Sequence, residues 1–298
     1  VAQGNRRAAG LKTAPPQAAT ESKNRNLVVR LATAAVLIPV VLVCIYYGGW
    51  ALAALVAVAA LLNATEISAM MLGRERLGIV PALAALAMPV FFLLPKLGPE
   101  NLHWLWAIVT IVAMFWRLLR NVPVDSAGRD VSAVLFAAVY GSLIGYIMPL
   151  RLITPEQGWS GGGWVLLACV ITWINDTGAY FAGRFLGKHK MYPRISPAKT
   201  WEGFFGGMAS SIAGAFIVRV LALPSLRAVD CVALGILAGI FGPLGDLAES
   251  MLKRACKVKD SGHLLPGHGG MLDRVDSLML NAPMLYFYYR LFLDPHAG

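Results

Sequence analysis

Residues 228–252 read AVDCVALGILAGIFGPLGDLAESML. A nearly unbroken apolar run of this length, at about 1.5 Å of helical rise per residue, is long enough to cross the roughly 30 Å hydrocarbon layer of a bilayer. In lipid an open strand would leave its backbone N–H and C=O groups unpaired, so the run is read as a helix. The same reading applies to 27–48, 50–71, 78–96, 101–119, 131–150, 163–185, 203–223 and 275–293. Composition agrees. Only 14% of the 298 residues are charged, against roughly a quarter in soluble domains. The expected fold is therefore an all-α integral membrane protein, a polytopic bundle of about nine transmembrane helices. Residues 1–26 are polar and rich in Ala, Gly and Pro. They cannot build a packed core and are expected to form a disordered cytoplasmic tail rather than a signal peptide. Residues 27–298 form the membrane domain, with N-terminal helices over 27–150 and a motif-bearing half over 163–298.

Charge sets the orientation. With the N-terminus in the cytoplasm, 21 of the 26 Lys and Arg residues fall on the inner side. The exceptions are Lys96, Arg151, Arg219, Arg227 and Arg290. This bias supports an odd number of spans with the C-terminus outside. It also accounts for the net charge of +10 without any nucleic-acid partner. The four cysteines form no CxxC pair and read as small buried apolar residues. The Gly-rich stretch at 158–163 reads as an outer connector, and Trp104, Trp106, Trp116, Trp159 and Trp164 as interface anchors.

Acidic residues in apolar spans are expensive, roughly 2.5–3.5 kcal/mol each at the bilayer centre, and each needs a reason. Glu66, Asp176, Asp246 and Glu249 all fall in the inner half under this topology. Asp246, Glu249, Ser250 and Lys253 share one helical face, as do Asp176, Tyr180 and Arg184. A salt-bridge ladder that orients helices would explain either set alone. The chain that follows changes the balance. Residues 253–276, KRACKVKDSGHLLPGHGGMLDRVD, bring Lys253, Arg254, Lys257, Lys259 and Arg274 together with Asp260, Asp273 and Asp276. Asp273 and Asp276 return to the membrane level of Asp246. Carboxylates beside a basic loop suit magnesium, which takes one or two carboxylates and completes its shell with phosphates and water. Gly267, Gly269 and Gly270 can admit close backbone approach to an anion. His268 either donates to a phosphate or braces the turn. A second basic loop, 184–202, offers Ser196, Lys199, Thr200 and Glu202. It reads as the other wall of a nucleotide pocket.

These residues resemble a known family. Ser250-Met-Leu-Lys253-Arg254, Lys259-Asp260-Ser261-Gly262, Pro266-Gly-His268-Gly269-Gly270 and Asp273-Arg274-Val-Asp276 are similar to the signature of the phosphatidate cytidylyltransferases, or CDP-diacylglycerol synthases. Asn175-Asp176-Thr177-Gly178, Ser196-Pro-Ala198-Lys199-Thr200-Trp-Glu202-Gly and Gly245-Asp246-Leu247 look like its other motifs. The resemblance covers roughly 175–277. It departs at Ala198, where a Lys or another polar residue is usual, and at Lys257, where Gly is common. It implies transfer of a cytidylyl group from CTP to phosphatidate, giving CDP-diacylglycerol and pyrophosphate. It also implies Mg²⁺, as one or two ions, and a multi-pass homodimer among the lipids of a bacterial inner (plasma) membrane. Asp246 and Asp273 correspond to metal-binding residues of the family. Asp276 is a further ligand or a group that orients one. Lys253 and Arg274 join Asp246 and Asp273 as catalytic candidates. Asp176, Ser196, Lys199, Thr200, Glu202, Arg254, Lys259, Asp260, His268, Gly269 and Gly270 are the substrate-binding candidates.

Two other classes fit less well. A transporter would line a path across both leaflets, whereas here the acids gather at one face. A CTP-dependent lipid-alcohol kinase would share the nucleotide but release CDP.

Overall fold

The computed structural model describes residues 16–73, 83, 99–120, 123–154, 156–262, 264 and 269–294. Within them the chain is almost wholly helical: α1 (Pro16–Tyr47), α2 (Gly49–Leu72), α3 (Pro99–Leu118), α4 (Ala127–Ser142), α5 (Ile147–Leu152), α6 (Gly158–Phe185), α7 (Trp201–Leu221), α8 (Ala228–Ala255) and α9 (Leu272–Tyr288). Apart from Leu83, the expected span at 78–96 lies outside the described residues, as does His268. Helix α1 begins at Pro16 and so runs through part of the segment read as a tail.

Among the described residues, five stretches are long and apolar enough to cross a membrane: Gly49–Leu72, Val124–Leu152, Gly158–Phe185, Trp201–Leu221 and Ala228–Ala255. Their outer surfaces carry large exposed apolar side chains, such as Val220 at 78% and Leu221 at 69%. In water such a surface would aggregate, but against lipid chains it is matched. The chain is an all-α membrane protein.

Helices α6, α7, α8 and α9 pack on one another in sequence order, and α2 packs on α4. Inside the bundle the helices are joined by buried polar pairs. Asn175 Nδ2 donates to Ser211 Oγ (2.8 Å) and Asn281 Nδ2 to Thr172 Oγ1 (2.8 Å). Such bonds join helices where no hydrophobic drive separates side chain from lipid.

Two readings of the sequence are corrected. The glycines at 158–163 are not a connector but the first turns of α6. Their missing side chains let the helix start flush against its neighbours: a Cβ on Gly162 would meet Ile45 at 2.7 Å, and one on Gly163 would meet Leu223 at 2.6 Å. Trp164 is not a lipid-facing anchor. It is 6% exposed and packs edge-on against Tyr289. The basic loop after α6 also holds a small antiparallel hairpin, β1 (Lys190–Tyr192) with β2 (Ser196–Thr200). Thr200 is extended and caps α7, its hydroxyl accepting from the Gly203 N–H at 3.1 Å.

Lys257 explains one departure from the family pattern. The Val258 N–H reaches Lys253 O (3.0 Å) and the Lys257 N–H reaches Arg254 O (3.1 Å). This is the Schellman closure of a helix end, which calls for a left-handed residue. Lys257 supplies it with φ of 57°. Glycine adopts that conformation freely, whereas a side chain costs about 1 kcal/mol there. Lys257→Gly is therefore expected to raise stability by about 1 kcal/mol, read as a higher melting temperature in detergent.

Candidate active site

The C-terminal ends of α2, α6 and α8 and the N-terminal ends of α7 and α9 meet on one side of the bundle. Helices α8 and α9 cross here at close range. A Cβ on Gly245 would lie 2.5 Å from the Asp276 carbonyl oxygen. Glycine there lets the two backbones touch and brings the neighbouring carboxylates into one pocket. Asp246 and Glu249 project from α8 and Asp276 from α9, with ligand oxygens all within 4.8 Å of one another.

The basic groups around this cluster are few and specific. Lys199, from β2, sits 2.7 Å from Asp246 Oδ2 and donates to Pro243 O at 3.3 Å. Lys253 lies 3.0 Å from Glu249 Oε2 and 2.7 Å from Asp273 Oδ1. Ser250 Oγ donates to Asp246 Oδ1 at 3.2 Å. Asp176, one span away on α6, feels the charges of Asp276, Asp246 and Lys199. Four carboxylates, those of Asp246, Glu249, Asp273 and Asp276, thus sit with two ammonium groups. Glu249 is 1% exposed, and its Oε1 has no hydrogen-bond partner.

Asp273 lies against Lys253, before the apolar run at 275–293. Its Oδ2 accepts from the Gly270 N–H (2.9 Å) and from the Ser261 N–H (3.1 Å). Burial favours its neutral form. The hydrogen bonds from Lys253 and Gly270 outweigh that and hold its carboxyl down at about 2. Asp273 is therefore an ionised partner of Lys253, next to the three-carboxylate group rather than within it.

The remaining candidates divide by position. Arg254, Lys259, Asp260 and Arg274 are exposed. Glu202 turns away from the acidic cluster, accepting from the His189 N–H at 3.2 Å, with the His189 ring nitrogen at 2.6 Å. Ser196 pairs with Tyr192 in the hairpin. The glycines of the signature loop admit the protein's own carboxylates. Gly269, with φ of 84°, would bring a Cβ to 2.8 Å from Asp273 Oδ2, and a Cβ on Gly270 would run into Ser261 Oγ and Glu66 Oε2.

Sequence spacing had put Glu249 one helical turn from Asp246, but it was not among the metal candidates. The signal was present in the i, i+3 repeat. What was missing was the close α8–α9 contact at Gly245, which sets Glu249 within ligand distance of Asp276.

This arrangement can be set beside known proteins. The model of the cytidylyltransferase family matches residues 28–292. The chain belongs to the cytidylyltransferase family. Among its relatives is a phosphatidate cytidylyltransferase of Bacillus subtilis, 36% identical over 221 residues, covering 72% of this chain and 80% of the relative. One of Staphylococcus epidermidis is 37% identical over 239 residues, covering 78% and 85%. One of Brucella suis is 47% identical over 132 residues, covering 44% and 48%. Membership of the cytidylyltransferase family extends through the N-terminal helices, which by sequence reading alone were generic membrane spans.

Proposed function

We propose that the chain is a phosphatidate cytidylyltransferase that joins CTP to phosphatidate, making CDP-diacylglycerol and releasing pyrophosphate. The observation that carries this is the convergence of Asp246, Glu249 and Asp276 from two helices, with Lys199 reaching in from a third segment. A phosphate oxygen of phosphatidate attacks the α-phosphorus of CTP. The new O–P bond forms as the bond from the α-phosphorus to the bridging oxygen breaks, and pyrophosphate carries away the electron pair. The nucleophile is already an anion, so no general base is needed. Catalysis is then mainly positioning and the neutralising of charge on oxygen.

The residues present fit a divalent cation. Like charges this close, with a buried orphan oxygen on Glu249, leave an excess of negative charge that a hard, oxygen-seeking ion such as Mg²⁺ would balance. Asp246, Glu249 and Asp276 would hold it, with Asp273 beside them through Lys253. Such an ion, alone or as one of a pair, supplies Lewis-acid stabilisation of phosphate oxygens. Lys199 orients Asp246 and lines the pocket together with Asp176. Arg254, Lys259 and Arg274, at the mouth, meet the anionic phosphates of the arriving substrates. The positive-inside count supports a mouth on the cytoplasmic side, in a membrane we read as a bacterial inner membrane. It goes with about nine spans, an inner N-terminus and a homodimeric assembly.

The test is direct. Purified protein is given labelled CTP, phosphatidate and Mg²⁺. A lipid-soluble cytidine product and pyrophosphate are expected in equal amounts. Release of CDP with a newly phosphorylated lipid would make the chain a lipid kinase and overturn the proposal.

A further inference from the structure

Glu66 belongs to α2, outside every motif of the signature, yet its carboxylate holds both ends of the signature loop. It is 9% exposed. Oε1 accepts from the Met271 N–H at 2.9 Å, and Oε2 accepts from the Leu272 N–H at 3.0 Å. These two donors open α9, where no carbonyl of the same helix can reach them. The negative charge also lies where the helix dipole favours it. Ser261 Oγ donates to Glu66 Oε2 at 2.7 Å from the other end of the loop. Ser261 Oγ also stands 3.0 Å from Asp273 Oδ2. The chain of contacts continues from Asp273 to Lys253 and on to Glu249. Gly262 and Gly270 border the same carboxylate. A Cβ on Gly262 would come within 2.8 Å of Glu66 Oε1.

We infer that Glu66 is a positioning residue for cytidylyl transfer. It ties Ser261, Met271 and Leu272 to α2 and thereby fixes Asp273 and Lys253 beside the Asp246–Glu249–Asp276 group. The inference rests on the proposed function for its kinetic consequence. It gives the N-terminal half a part in the reaction without any contact with substrate. Displacement of reacting groups by about 1 Å costs rate on the order of 10²-fold, so the effect belongs in kcat.

Glu66→Gln keeps the size but offers one carbonyl oxygen to three donors. Its kcat is expected to fall by about 10- to 100-fold, with the KM for CTP within about twofold of wild type. Ser261→Ala keeps both backbone bonds to Glu66 and the backbone bond from residue 261 to Asp273, and removes only the hydroxyl that bridges the two carboxylates. It should lower kcat by a smaller factor. Because the two residues act through one contact, the double variant should be no slower than Glu66→Gln alone, to within about twofold. Hydrogen exchange of the Met271 and Leu272 amides in detergent should be faster in Glu66→Gln than in wild type.

Unchanged kcat in Glu66→Gln, a loss confined to KM, or single losses that multiply in the double variant would each overturn the inference. Should Glu66→Gln fail to reach the membrane, Ser261→Ala decides, and wild-type kinetics there would overturn it. Should wild-type protein make no lipid-soluble cytidine product, the proposed function fails by itself. The exchange comparison then decides for Glu66, with equal exchange in the two proteins counting against the clamp.

Discussion

Asp246→Asn is expected to lose cytidylyl transfer by about 10³-fold while the protein stays folded in the membrane. The substitution keeps the shape of the side chain and removes one charge from the Asp246–Glu249–Asp276 group. Charge stabilisation by a bound metal is worth several kcal/mol in the transition state, and each 1.36 kcal/mol is tenfold in rate. The effect on stability should be small. The Lys199–Asp246 pair is only partly buried, with side chains 21% and 37% exposed, and such pairs contribute up to about 1 kcal/mol. The variant should therefore melt close to wild type. Its residual activity should require more Mg²⁺ for half-maximal rate. Turnover at the wild-type rate in Asp246→Asn would remove the metal role from this residue.

The membrane helices were legible because hydrophobic length is a local property. The runs at 50–71, 203–223 and 228–252 reappear as α2, α7 and α8 with boundaries moved by only a few residues. Gly158–Gly163 misled because composition does not separate a turn from a helix start packed too tightly for side chains. Only Ile45 and Leu223, far away in the chain, decide between them. The candidate site shows the same division. Asp246, Glu249 and Lys253 were readable as one face from helical spacing. Their joining to Asp276 needed the α8–α9 crossing at Gly245. Glu66 was noticed as an acid in an expensive place, but its partners lie about two hundred residues downstream. No periodicity carries that information. The glycines of the signature loop were read as room for a ligand's phosphate. In the structure Gly270 makes room for Glu66 and Ser261 instead, and its N–H is occupied by Asp273.

Lys253 carries the second large effect, and its role in the structure differs in kind from the one its sequence suggested. A lysine beside a basic loop reads as a grip on substrate phosphate. Here its ammonium is bound on two sides, to Glu249 and to Asp273, with the three side chains 13%, 1% and 8% exposed. Removing one partner from a buried ion cluster leaves the other charges uncompensated and typically costs about 3–5 kcal/mol. Lys253→Met keeps the length of the chain and deletes only the charge. It is expected to lower the melting temperature by roughly 10 °C. It should also reduce kcat by two orders of magnitude or more, on the order of 10²-fold, because Glu249 and Asp273 are then free to part. The KM for CTP should change little, since the ammonium is already engaged before substrate arrives. Thermal melts and steady-state kinetics on the same purified sample separate the two roles. An unshifted melting temperature with a raised KM for CTP would return Lys253 to the substrate phosphates and leave the Glu249–Asp273 contact to be held by other means.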